Sequence, residues 1–175
     1  MTNPATHPLP PTLPRGIEAF ARQAASRTSL EALRDALAAL PEHLLPLARC
    51  ATFEPIGHTR RVLFDTPTLV LELCGWLPGQ RTEPHDHGPA RCAFRVMAGV
   101  AVESRHHRDA QARVCEIACD GFLTGSVLVC EPGEIHAIAN DPAESEPLVT
   151  LHLFSPAPRM RTYPLTPQDT KETRA

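Results

Sequence analysis

Beyond His58 the hydrophobic pattern changes to a period of two and keeps it almost to the end of the chain, in runs too short for helices. LVLELCGW, CAFRVM, VAVES, ARVCEIAC, SVLVC, HAIAN and LVTLHLF are alternating or wholly apolar, and PG, AG, DG, TG, PG and DPAESEP turn signals separate them. Short strands at such even spacing, with no helices between them, predict an antiparallel sandwich or small barrel. LVTLHLF says the most about what that barrel encloses. Alternation sends Val149, Leu151 and Leu153 to one face and Thr150, His152 and Phe154 to the other. If the aliphatic face packs outward under helices, a polar, a titratable and an aromatic residue line the interior together.

The helices are expected at the N-terminal end. Five of the nineteen prolines fall between Pro4 and Pro14, so residues 1 to 15 are expected to be a loose, extended arm. From Gly16 the pattern is helical. Thr28 followed by Glu31 reads as a capping box ahead of Leu30, Leu33, Leu37 and Leu40, which share one face, and Pro41 stops that helix. A third, shorter piece over 42–49 is expected to be interrupted by Pro46. Residues 16–165 read as a single domain and the polar stretch 166–175 as a frayed tail, a division that suits 175 residues.

Composition removes several classes of partner. The net charge of −3 comes from interspersed charges, with no basic stripe to release counterions from a nucleic acid. No stretch has the apolar length of a signal peptide or a membrane span, so the expectation is a soluble cytoplasmic protein, a monomer or weak homo-oligomer. Six cysteines are scattered without a C-x-x-C pair, and reduced thiols packed as small hydrophobes are expected. Cys115 and Cys119, sharing a strand face with Ile117, fit core packing as well as metal binding.

His85 and His87 stand at i and i+2, so on a strand both imidazoles project to one side, which is half of a metal site. PGEIHAIAN then feeds a strand whose start, His136, is placed to supply a third ligand from a facing strand. The remaining histidines invite plainer readings: His106 and His107 as a solvated pair in a hairpin loop after VAVES, His7 in the proline arm, and His43 on a helix without a neighbouring partner.

Gly79, His85, His87 and Gly99 stand at the spacing of the first cupin motif, G-x5-H-x-H-x4-E-x6-G, with Cys92 at its glutamate position. The second cupin motif is met more loosely by Gly125, Pro132, Gly133, His136 and Asn140. A cupin with cysteine in place of that glutamate resembles the cysteine dioxygenase family of thiol dioxygenases. HTRRVLF at 58–64 is similar to that family's Tyr-x-Arg segment, and TLHLFSP at 150–156 to its Ser-x-His-x-Tyr segment followed by Ser-Pro, so the resemblance spans roughly 55 to 157. It implies a mainly β cupin with N-terminal helices packed outside, a ferrous iron cofactor and dioxygen as cosubstrate. It also implies roles: His85, His87 and His136 as iron ligands, Arg60 as the holder of a substrate carboxylate, and Thr150 and His152 as the serine and histidine behind the metal. Cys92 matches the cysteine that is joined by a thioether to a tyrosine in animal enzymes. Two substrate-side positions depart from the family, His58 and Phe154, each standing where tyrosine is usual. Phe154 rules out the thioether.

An all-histidine set has a chemical consequence. The usual two-histidine, one-carboxylate triad cancels one unit of a ferrous ion's charge; three neutral imidazoles leave the dication whole and favour an anionic ligand. A substrate thiol is deprotonated on such a metal, so the substrate's sulfur is expected to supply the missing acid. The implied reaction adds both atoms of dioxygen to the sulfur of a small mercaptocarboxylate. Arg60 favours L-cysteine over 3-mercaptopropionate, whose dioxygenases resemble this chain but carry glutamine there; His58 and Phe154 point the other way. Arg61 takes the clamp role if the strand is shifted by one residue. Competing expectations are another metallocupin enzyme, an isomerase or a carbon-substrate dioxygenase, and a non-catalytic cupin that binds a small molecule.

Overall fold

The structure, a computed structural model, describes residues 12–109 and 113–163; most of the proline arm and the whole 166–175 tail lie outside the described residues. Helices α1 (Ile17–Ala24) and α2 (Leu30–Ala38) are followed by a 3₁₀ stretch, Glu42–Cys50. The cap of α2 is Ser29, whose Oγ accepts the Ala32 N–H at 3.2 Å, and not Thr28. Leu30 already has helical geometry, so the side chain before it is the one that meets the unpaired first-turn donors. Pro46 does not interrupt the next piece, which runs through it in the tighter 3₁₀ form.

Among the described residues ten strands follow: β1 (Thr59–Thr66), β2 (Leu69–Trp76), β3 (His85–Asp86), β4 (Arg91–Ala98), β5 (Val100–Arg108), β6 (Val114–Leu123), β7 (Val127–Cys130), β8 (Ile135–Ala139), β9 (Leu148–Ser155) and β10 (Arg161–Thr162). They form two antiparallel five-stranded sheets, ordered β1-β2-β9-β4-β7 and β10-β3-β8-β5-β6. β9 comes late in the chain yet sits in the middle of its sheet, between β2 and β4.

The period-two pattern sorts the core into layers. Ile17, Leu33, Leu37, Leu44 and Leu47 pack against the outer face of the first sheet, on Leu69, Leu71, Leu73, Val149, Leu151 and Leu153. Trp76, Phe94, Val96, Leu128, Ile138 and Leu148 fill the space between the sheets. The two faces of β9 therefore divide as the alternation requires. Arg95 on β4 ties the layers together by donating to the carbonyls of Leu37 and Ala38, at 2.7 and 3.0 Å, at the C-terminal end of α2. At the β4–β5 turn Gly99 has φ 80°, and a Cβ there would lie 2.8 Å from the Pro147 carbonyl oxygen, so the turn admits no side chain. Leu151→Ala, at a fully buried position beneath the helices, is expected to cost about 3 kcal/mol, read as a lower denaturant midpoint with unchanged slope.

Two further readings need correction. β5 runs on to Arg108 and pairs with β6 along its whole length, so His106 is not in a loop; it is buried, with Nε2 2.9 Å from Ser104 Oγ, while His107 is exposed. Cys50, Cys74, Cys92 and Cys130 are buried as expected, but Cys115 is half-buried and Cys119 exposed, because β6 is the uncovered edge of its sheet. All six are free thiols. Among the described residues no helix is long and apolar enough to cross a membrane.

Candidate metal centre

β3 is only two residues long, and its neighbours hold it in place. His85 pairs directly across from His136 on β8, while β10 lies on the other side with Thr162 opposite His85 and Arg161 opposite Asp86. Alternation turns Asp86 away from the two histidines. Its carboxylate accepts the Gly88 N–H at 2.7 Å and the Tyr163 hydroxyl, fixing the turn that carries His87. The result is a cluster of His85, His87 and His136, each no more than 4 % exposed, whose ligand nitrogens all lie within 4.8 Å of one another.

The hydrogen bonds around the rings decide which nitrogens are on offer. A carbonyl only accepts, so His85 Nδ1 carries the proton it donates to the Glu83 carbonyl at 2.9 Å, and the lone pair is on Nε2. His136 Nδ1 likewise faces the Glu103 carboxylate at 2.9 Å, leaving its Nε2 as donor. His87 Nδ1 is buried without a hydrogen-bond partner, a deficit that a cation taking an imidazole lone pair removes. Burial, then repulsion from His136, lowers the His85 pKa to about 4 and that of His87 to about 2, so both rings are neutral at pH 7. The donor set fits a divalent transition metal with open positions.

The acid absent from the Cys92 position stands one step behind the cluster. Glu103 on β5 is buried; one oxygen accepts the His136 Nδ1–H and the other is 3.4 Å from Arg105 Nε. A carboxylate behind a ligating histidine fixes its tautomer and makes the ring a better donor. Glu103→Gln keeps an acceptor but removes the charge, and is expected to weaken metal affinity about 10- to 100-fold, measured by competition with a calibrated chelator. Cys92 is outside the histidine cluster: it pairs with Phe154 on one side and Cys130 on the other, and burial holds its thiol protonated, its pKa pushed well up.

A cavity of about 310 Å³ opens onto the cluster. His58 stacks on Trp76 with ring centroids 4.1 Å apart, and burial lowers its pKa, with Arg60 adding to the effect. His152 lies nearly parallel to Phe94 and Phe154, at 5.0 and 5.9 Å, and burial holds it neutral. Behind it, Thr150 Oγ1 is 2.8 Å from His152 Nε2 and accepts the Trp76 indole N–H at 3.0 Å. The Phe154 ring is 5.0 Å from that of His87.

Arg60 is on the cavity side; Arg61 turns away and donates to the Cys50 carbonyl at 3.3 Å. Arg60 is already engaged. Its Nη2 lies 2.7 and 2.9 Å from the two oxygens of Glu72, and its Nε 3.2 Å from Oε2. Although burial opposes its charge, Glu72's hydrogen bonds and charge leave Arg60 more firmly protonated than usual. Sequence reasoning singled out neither Glu72 nor Glu103. The signal was a lone acid at an inward position of an otherwise apolar run, LVLELCGW and VAVES respectively.

A family model described as cysteine dioxygenase type I matches residues 12–164. Among curated protein sequences nothing matches the chain. Of solved structures, a conserved protein with a double-stranded β-helix domain from Klebsiella pneumoniae is 17 % identical, with 69 % of this chain and 94 % of that chain covered and a TM-score of 0.53. An oxalate oxidase is 19 % identical, with 70 % and 68 % covered and a TM-score of 0.51. The Bacillus subtilis oxalate decarboxylase is 19 % identical, with 63 % and 28 % covered and a TM-score of 0.51. At such identities these likenesses concern the double-stranded β-helix fold.

Proposed function

Because the chain belongs to the cysteine dioxygenase type I family, we propose that it is a non-heme iron(II)-dependent thiol dioxygenase acting on a small mercaptocarboxylate, with L-cysteine to cysteine sulfinate as the foremost reaction. The observation that carries this reading is the all-imidazole cluster of His85, His87 and His136, with the Glu103 carboxylate held behind the His136 ring. Held by His85, His87 and His136, iron(II) would supply the chemistry that brings a thiolate and dioxygen together for oxygenation at sulfur.

The chain's own residues do the rest. Glu72 takes the Nε and Nη2 side of the Arg60 fork, which leaves the Nη1 side for a substrate carboxylate. His58 and Trp76 wall the cavity with a flat aromatic stack that keeps the substrate's carbon atoms out of water. His152, neutral and held by Thr150, presents a ring nitrogen beside the cluster without adding a second cation to it. The protein would do this in the cytoplasm on a free small molecule.

The test is oxygen uptake by the ferrous protein on a panel of thiols, with products identified by mass. Uptake with sulfinate formation is expected. Turnover confined to non-thiol compounds would move the protein to another metallocupin chemistry, and binding without turnover would leave a small-molecule-binding cupin.

A further inference from the structure

The segment that presents His85 and His87 has almost no regular structure of its own, and on the side away from β8 one stretch of chain holds it. Beyond β9 the backbone turns back along residues 84–88. The Arg159 N–H donates to the His87 carbonyl at 3.1 Å and the Tyr163 N–H to the Pro84 carbonyl at 2.7 Å, while between them β10 pairs with His85 and Asp86. The fit is close: a Cβ on Gly88 would lie 2.8 Å from the Arg159 carbonyl oxygen. A side-chain bond closes the seam. The Tyr163 hydroxyl donates to Asp86 Oδ2 while Asp86 Oδ1 accepts the Gly88 N–H, and the Arg108 guanidinium of β5 covers the Tyr163 ring at 5.6 Å. The same stretch also walls the cavity, through Met160 and Thr162.

We propose that Tyr163 is a positioning residue for the metal centre: through Asp86 it latches residues 159–163, as a strap, onto the segment that presents His85 and His87, and so couples closure of the cavity wall to metal loading. The inference rests on the metal reading of the three histidines and on no particular substrate. Asp86 stands between His85 and His87 in the chain, so a hydroxyl bound to its carboxylate restrains both rings at once. Apart from that latch the strap is held by a two-residue ladder and its flanking backbone bonds, and Arg159, Met160 and Arg161 are exposed. Such a segment opens locally at low cost. A metal that fixes His85 and His87 fixes the surface on which the strap lies, and by reciprocity a closed strap keeps both imidazoles in ligating geometry. When the strap lifts, Met160 and Thr162 leave the cavity wall with it.

The experiment measures iron(II) affinity by anaerobic chelator competition, and trypsin cleavage after Arg159 and Arg161, mapped by mass, in the full chain with and without iron(II). Cleavage after Arg27, between α1 and α2, is the internal control. In the wild type iron(II) is expected to slow cleavage after Arg159 and Arg161 at least about tenfold and to leave the Arg27 rate unchanged. Tyr163→Phe, which keeps the ring under Arg108 and removes the hydroxyl alone, is expected to weaken iron(II) binding about tenfold and to speed both strap cleavages. In an Asp86→Ala background the same change should add nothing, because it acts through that carboxylate. Unchanged iron(II) affinity in Tyr163→Phe, with only the denaturant midpoint lowered, would overturn the proposal and leave the tyrosine as a fold-stabilising contact. So would iron(II) slowing all three cleavages equally. A wild type that binds no iron(II) would remove the metal reading of the histidines and the coupling with it, whereas absence of coupling in a protein that does bind iron(II) would overturn the strap alone.

Discussion

Alanine at His85, His87 or His136 is expected to leave the protein, purified from iron-replete cells, with less than about a tenth of an equivalent of iron, and to abolish sulfinate formation from L-cysteine. Each ring supplies one of only three protein donors, and loss of a supporting residue behind a ligand already costs about 10- to 100-fold in metal affinity. The variants should still fold, since the apolar layers are elsewhere. Imidazole donors accept zinc and copper as readily as iron, so the metal should be counted by elemental analysis. Full iron in all three variants would end the assignment.

Phe154→Tyr, given iron(II), oxygen and thiol, is expected slowly to form a thioether between Cys92 and the new phenol ring, which native Phe154 cannot do. Cys92 and Phe154 are register partners on β4 and β9, and their side chains pack in one small cluster with Val70 and Cys130. The bond joins sulfur to a ring carbon; the S–H and ring C–H bonds break, and dioxygen takes the two electrons and two protons. The intact mass therefore falls by a pair of hydrogens. Cys130 faces Cys92 from the other side, and a disulfide between them would lower the mass equally, so the diagnostic result is a linked peptide that survives reductant. Turnover on L-cysteine should rise if the absent hydroxyl limits it. A variant that turns over while its mass is unchanged and Cys92 remains fully alkylatable would show the two side chains to be poorly placed for the bond.

Much of this arrangement was legible because strand alternation is a local rule. Val149, Leu151 and Leu153 had to part from Thr150, His152 and Phe154 whatever the rest of the chain did, and His85 and His87 had to share a side. What sequence could not supply was pairing. Nothing local says that the Glu72 carboxylate meets a guanidinium from β1, or that Glu103 reaches across to a histidine thirty-three positions later on β8. His106 was misplaced for a related reason: the β5–β6 ladder continues past VAVES only because β6 is there to pair with it, through a register shift beside Arg105. The cap of α2 was missed by one residue because Thr28 and Ser29 are both good caps, and only the backbone at Leu30 chooses between them.

The central position of β9 also bears on how the chain is made. β2 and β4 both pair with it, so until residues 148–155 have left the ribosome each of those strands has an open, largely apolar edge. The interval from residue 98 to residue 155 lasts about 3 to 11 s at the usual ~5–20 residues per second. During it the nascent protein is a pair of strands without their keystone, with the helices laid against an unfinished sheet. Such edges pair readily with other chains, so yield should depend on chaperone occupancy and growth temperature more steeply than the finished molecule's stability suggests. Nascent chains stalled before β9 emerges should remain protease-sensitive along β2 and β4, and those stalled after it should not.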